Sequence, residues 1–75
     1  MLRVTKQQRQ WRLWLAAEAW LRCRPENGER FVWIAEEVNK QLWRTEPRIK
    51  RNSITRNAAM IARMADELNR SGRTE

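Results

Sequence analysis

Between Ser53 and Arg70 the chain carries two opposed stripes at one helical period, and this pattern constrains the fold more than any other. Ile54, Ala58, Ile61, Ala65 and Leu68 fall on one side of a helix turning about 100° per residue. Arg56, Arg63 and Arg70 recur at every seventh position on the opposite side, with Thr55 and Ala59 beside them. One side can dock on an apolar core while the other meets a polyanion, as a helix laid in a DNA groove must. Just before it come Arg44, Arg48, Lys50 and Arg51, relieved only by Glu46.

Two further helices are expected upstream. The first runs from about Thr5, an N-cap, to about Arg22, where Arg24-Pro25-Glu26-Asn27-Gly28-Glu29 breaks it. It is apolar on more than one side. Leu13, Ala17, Trp20 and Leu21 make the main stripe, Trp14 lies at its margin, and Trp11 and Leu15 sit well away from it. The second helix spans about Arg30 to Trp43, with Phe31, Ile34, Ala35, Val38 and Leu42 in a narrow arc and Glu36, Glu37 and Lys40 facing away. Thr45-Glu46-Pro47 ends it, because the residue before a proline avoids the helical region. Asn52 or Ser53 would cap the third helix, about 53–70, and a polar tail over 71–75 follows Ser71-Gly72. The 75 residues therefore read as one all-α domain, a three-helix bundle.

Composition narrows the function classes. The formal charge is +7, from 16 Lys+Arg against 9 Asp+Glu, and arginine, whose planar fork matches phosphate and guanine edges, far outnumbers lysine. With no histidine and one cysteine, Cys23, a zinc or haem site has almost no ligands, and no cofactor is expected. There is no nucleophile–base pair and no glycine-rich phosphate loop, so an enzyme is not expected. A lone cysteine favours a reducing compartment, a bacterial or phage-type cytoplasm with the protein on the nucleoid. Charges at Arg12, Glu18 and Arg22 argue against a membrane span or signal peptide.

The functional constellation is the basic loop with the first turns of the third helix: Arg48, Lys50, Arg51, Asn52, Ser53, Thr55, Arg56, Asn57 and Arg63. Arg48, Lys50 and Arg51 are expected to hold phosphates, and Thr55, Arg56, Asn57 and Arg63 to reach base edges of double-stranded DNA. A solvated polar face is the plain alternative. RNA remains open, because a basic helical surface does not distinguish the two nucleic acids by composition.

The order of these segments resembles the helix-turn-helix family. The residues that carry the likeness are Ile34-Ala35-Glu36-Glu37-Val38-Asn39 in helix two and Ser53-Ile54-Thr55-Arg56-Asn57-Ala58 opening helix three. Leu68-Asn69-Arg70-Ser71-Gly72 looks like the run from recognition helix into wing in winged-helix proteins. The resemblance implies that Ala35 lets the third helix pack closely and that this helix reads the major groove. The sequence departs from the family at Asn39, where a glycine is usual, in a linker of about ten residues, and in lacking a wing.

Five tryptophans remain to be placed. Trp14 and Trp20 are expected to fill the space between helices. Trp11, Leu15 and Trp33 are expected on the surface as protein-interface residues, most simply a homodimer through helix one. If the chain is instead a small inhibitor or adaptor, the same residues would anchor an acidic protein partner. Stacking on single-stranded bases asks for aromatics within the basic patch, and only Trp43 lies near it.

Overall fold

The computed structural model describes residues 5–44 and 46–71 and is all-helical, as the spacing predicts. Among the described residues there are four α-helices rather than three: α1 (Lys6–Arg22), α2 (Arg30–Lys40), α3 (Arg51–Arg56) and α4 (Ala58–Arg70), with a 3₁₀ turn over Pro25–Asn27. Thr45 and the tail beyond Ser71 lie outside the described residues.

Helix α1 starts where its cap dictates. The Thr5 hydroxyl accepts from the Gln8 backbone N–H at 3.1 Å, and the Gln8 side chain accepts from the Thr5 N–H at 2.9 Å. This reciprocal box satisfies two donors that a helix start otherwise leaves open. At its end, Arg24 N donates to the Asn27 side chain at 2.9 Å and Gly28 turns with φ of 97°. Helix α2 then begins at Arg30, and the Glu29 side chain accepts from Phe31 N.

Helix α2 stops three residues before the expected Trp43, because the bonds that would extend it are replaced. Gln41 N and Leu42 N bond tightly back to Val38 and Asn39 carbonyls, and the Asn39 side chain turns away to the following loop. The third expected helix starts two residues early, after Lys50 rather than at an Asn52 or Ser53 cap. It then breaks at Asn57, which has φ −103° and ψ 15°. The Asn57 amide donates to Ser53 O at 2.8 Å and the Thr55 hydroxyl to Arg51 O at 3.1 Å. Short polar side chains here compete with the backbone for the same carbonyls, which disfavours an uninterrupted helix.

The break has a packing consequence. Helix α3 packs on α2, whereas α4 lies chiefly on α1. Ile54 is thus buried in one contact, and Ile61, Ala65 and Leu68 follow α4 into the other. Ile34, Val38 and Ile61 are fully enclosed at the centre, each contributing about 1.5–3 kcal/mol of burial.

Helix α1 is the central element, flanked by α4 and α2, and this overturns part of the expected stripe. Ala16, Ala17 and Ala19 are buried, together with Leu15, because small side chains let neighbouring helices approach on both sides. Leu15 is 4% exposed, so it is a core residue and not a surface anchor. Leu21, expected in the core, is 47% exposed. Trp14, expected between helices, is 38% exposed, and Trp20 is half-buried. Large indoles sit at the edges of the alanine contact, where there is room for them.

Candidate nucleic-acid interface

The basic residues divide into those occupied by the fold and those left to solvent. Arg12 is the most deeply occupied, at 8% exposed. It comes from the middle of α1, donates to Pro47 O at 2.8 Å and lies 3.9 Å from the Glu46 carboxylate. Its Nε is buried without a partner. Arg48, expected to hold a phosphate, forks onto two carbonyls instead: Nη1 to Asn39 O at 2.8 Å and Nη2 to Trp43 O at 2.7 Å. Both carbonyls also accept a backbone N–H, from Leu42 and Glu46, so Arg48 adds a second bond to each and ties the loop to the end of α2. Arg51 pairs with Glu29 at 3.0 Å, with both side chains about half exposed. Such a pair is weakly held, so Arg51 can exchange its carboxylate for a phosphate.

Lys50, Arg56 and Arg63 are exposed and form no ion pair with a described residue. Arg44 is in the same condition. They lie along the α2–α3 loop and on the side of α3 and α4 away from Ile54, Ile61 and Leu68. Ser53, Asn52 and Thr55 are exposed beside them, while Asn57 is half-buried at the helix break. Arg70, the last of the heptad arginines, is engaged with Asp66 at 2.9 Å.

Three acidic groups near this surface face a basic partner, whereas Glu67, one helical turn after Arg63 on α4, is exposed and forms no ion pair with a described residue. Glu46 faces Arg12, Glu29 faces Arg51, and Asp66 faces Arg70. On α2, Glu37 accepts from Lys40 at 2.9 Å and from Arg22 at 3.4 Å. The Lys40 hydrogen bond, outweighing the opposing effect of desolvation, holds the Glu37 carboxyl below its ordinary value, with Arg22 adding to the effect.

Two features of the site were not read from the sequence. A pocket of about 290 Å³ opens between α1 and the α3–α4 segment, and it brings Arg9 and Arg12 beside Ser53 and Asn57. Arg9, Arg12, Leu13 and Ala16 share one side of α1 by spacing, which was the available signal. The other is the loop scaffold. Asn39 donates its amide to Ile49 O at 2.9 Å and accepts from Ile49 N at 2.8 Å, so its side chain pairs with backbone as a strand would. Asn39 thereby anchors the long linker to α2.

Of the residues expected at a protein interface, Trp11 is exposed on α1, on the same side as Trp14 and Leu21. Trp33 is half-buried against the core, with the Arg22 guanidinium 5.8 Å from its ring centre. Trp20 is covered likewise, by Arg30 at 4.9 Å and by Phe31 at 6.2 Å between ring centres. The structure therefore leaves Trp11 on the surface, removes Leu15 from it and shields Trp33.

Among the described residues no cluster of three or more potential metal ligands forms, and no helix is long and apolar enough to cross a membrane. The chain matches no protein-family model, no curated protein and no solved structure. Its function has to be argued from its own surface.

Proposed function

We propose that the chain is a small basic DNA-binding protein, a regulator or accessory factor, that meets duplex DNA with the α2–α3 loop and the outward side of α3 and α4. The observation that carries this reading is the run of uncompensated cations at Arg44, Lys50, Arg56 and Arg63, next to a loop whose acidic residue is turned inward. Phosphates release counterions when such groups neutralise them, which is a driving force that a balanced surface lacks. In this reading Lys50 and Arg51 hold phosphates, with Arg44 added to them, and Thr55, Arg56 and Arg63 face the groove. Arg48 positions the loop. The arrangement is helix-turn-helix-like, with the short α3 and the start of α4 taking the place of one recognition helix. The exposed Trp11, Trp14 and Leu21 side of α1 suits a second copy of the chain, which would give two such surfaces for two half-sites. The setting is a bacterial or phage-type cytoplasm.

The test is fluorescence anisotropy against labelled duplex across a salt series. Affinity should fall steeply with log salt, and Lys50→Ala should flatten that slope by about 1 while weakening all sequences alike. Arg56→Ala should cost about 1–3 kcal/mol on a preferred duplex and relax its preference. Equal losses on preferred and random duplexes for both variants refute this division of roles. No binding at low salt refutes the DNA reading, and Trp11 then becomes the place to look for an acidic protein partner.

A further inference from the structure

Trp43 is the most exposed large apolar side chain among the described residues, at 74%, well above Met60 at 50%. It does not sit on a loose loop. Its carbonyl accepts from Arg48 Nη2 at 2.7 Å, and the other arm of the same guanidinium holds Asn39 O at 2.8 Å. Its N–H points to the Glu46 carboxylate at 3.4 Å, and Leu42, immediately before it, is buried in the core. The Asn39–Ile49 amide pair closes the loop from the far side. Five polar contacts therefore fix the backbone around a ring that is itself in water.

The chemistry around the ring selects its occupant. Lys40, Gln41, Arg44 and Arg48 are its exposed neighbours along the chain, and the one carboxylate of the loop, Glu46, is turned toward Arg12. A protein hot spot is ringed by further apolar side chains that exclude water. A lone aromatic flanked in sequence by Arg44, which forms no ion pair with a described residue, and by Lys40 and Arg48, which are exposed while holding Glu37 and two carbonyls, instead matches a base stacked on the ring with its flanking phosphates on these cations. Because the bonds to Glu46 and Arg48 tie the Trp43 backbone to α2 and the loop, little freedom is lost on binding.

We propose that Trp43 is a stacking platform for an unpaired nucleobase, so that the chain prefers DNA in which a single-stranded segment adjoins duplex over blunt duplex. This rests on the DNA-binding reading above and names its substrate class. The duplex arm would lie on Lys50, Arg56 and Arg63, and the unpaired base on Trp43.

The experiment compares three labelled DNAs by anisotropy: a blunt duplex, the same duplex with a short single-stranded gap, and the single strand alone. The wild-type chain, Trp43→Ala and Trp43→Phe are measured on each, and circular dichroism verifies that each variant is helical. The expected result is a preference of about tenfold or more for gapped over blunt duplex, abolished in Trp43→Ala and largely kept in Trp43→Phe, with blunt-duplex affinity unchanged. Trp43→Phe should also lose part of the fluorescence quench that gapped DNA produces in the wild type. Equal wild-type affinity for blunt and gapped DNA overturns the stacking proposal and leaves the duplex reading standing. So does an equal loss on both DNAs in Trp43→Ala. Failure of the folded wild type to bind any of the three overturns both and assigns Trp43 to a protein partner.

Discussion

The two connections between helices are built by opposite means. The α1–α2 connection is local: Pro25 opens a 3₁₀ turn, Asn27 accepts from Arg24 N, and Gly28 supplies a backbone angle that other residues avoid. The α2–α3 connection is held from outside itself. Arg12 reaches it from α1, Asn39 from within α2, and Arg48 folds back on the end of that helix. The first turn needs little from the rest of the molecule. The second exists only when α1 and α2 are in place, and it is the one that carries Trp43 and the free cations.

Breaking the second connection should therefore cost most. Asn39→Ala removes two bonds to Ile49 and leaves its half-buried backbone groups unpaired, a loss of about 3 kcal/mol by chemical denaturation. The same variant should be cut faster by trypsin at Arg44, Arg48 and Lys50, because local opening exposes the segment before the core unfolds. A stability loss without faster loop cleavage contradicts the view that Asn39 anchors the loop.

Gly28→Ala tests the first connection. A Cβ there meets nothing within 4 Å, so any cost is in the backbone. With φ of 97° and ψ of −150°, the position lies in a region that is nearly glycine-only, and alanine should destabilise by about 2 kcal/mol. Trypsin sensitivity of the 44–50 segment should stay as in the wild type. If it rises as much as in Asn39→Ala, the two connections are not independent.

The same contrast explains what could be read from the sequence. Thr5, Pro25 and Asn27-Gly28 act on residues two or three places away, so the limits of α1 and the start of α2 are legible. So are the stripes of α2 and α4, where Ile34, Val38, Ile61 and Leu68 repeat at helical period. Leu15, Trp14 and Leu21 were misplaced because helical spacing orders residues around α1 but does not say how many neighbours surround it. Flanked by two helices, α1 buries its alanines and the leucine just before them, and Trp14 and Leu21 stay exposed. Arg48 was misread for a related reason. Composition counts an arginine as a free cation, whereas only the tertiary structure shows that its guanidinium is held by two carbonyls. Arg56, Arg63 and Arg70 of the basic stripe are all exposed, Arg70 being paired with Asp66.

Glu37 joins the two regions and offers the finest test of how they differ. It accepts from Arg22, which leads into the first connection, and from Lys40, which leads into the second. Its folded-state pKa is lowered from 4.5, chiefly by the Lys40 hydrogen bond. A depressed carboxylate pKa contributes stability that is fully present above the unfolded value and is lost as pH falls through the folded one. Lys40 is mostly exposed, so screening keeps the contribution small, and Glu37→Gln should cost only a few tenths of a kcal/mol near neutral pH. The gap between wild type and Glu37→Gln should close as pH drops below 4.5, and it should shrink at high salt. The hydrogen bonds of Asn39 carry no charge, so the Asn39→Ala deficit should hold steady over the same range. A Glu37→Gln gap that persists in acid would show that Glu37 acts by packing rather than by charge. An Asn39→Ala deficit that closes with falling pH would show that the second connection depends on ion pairing rather than on its neutral amide bonds.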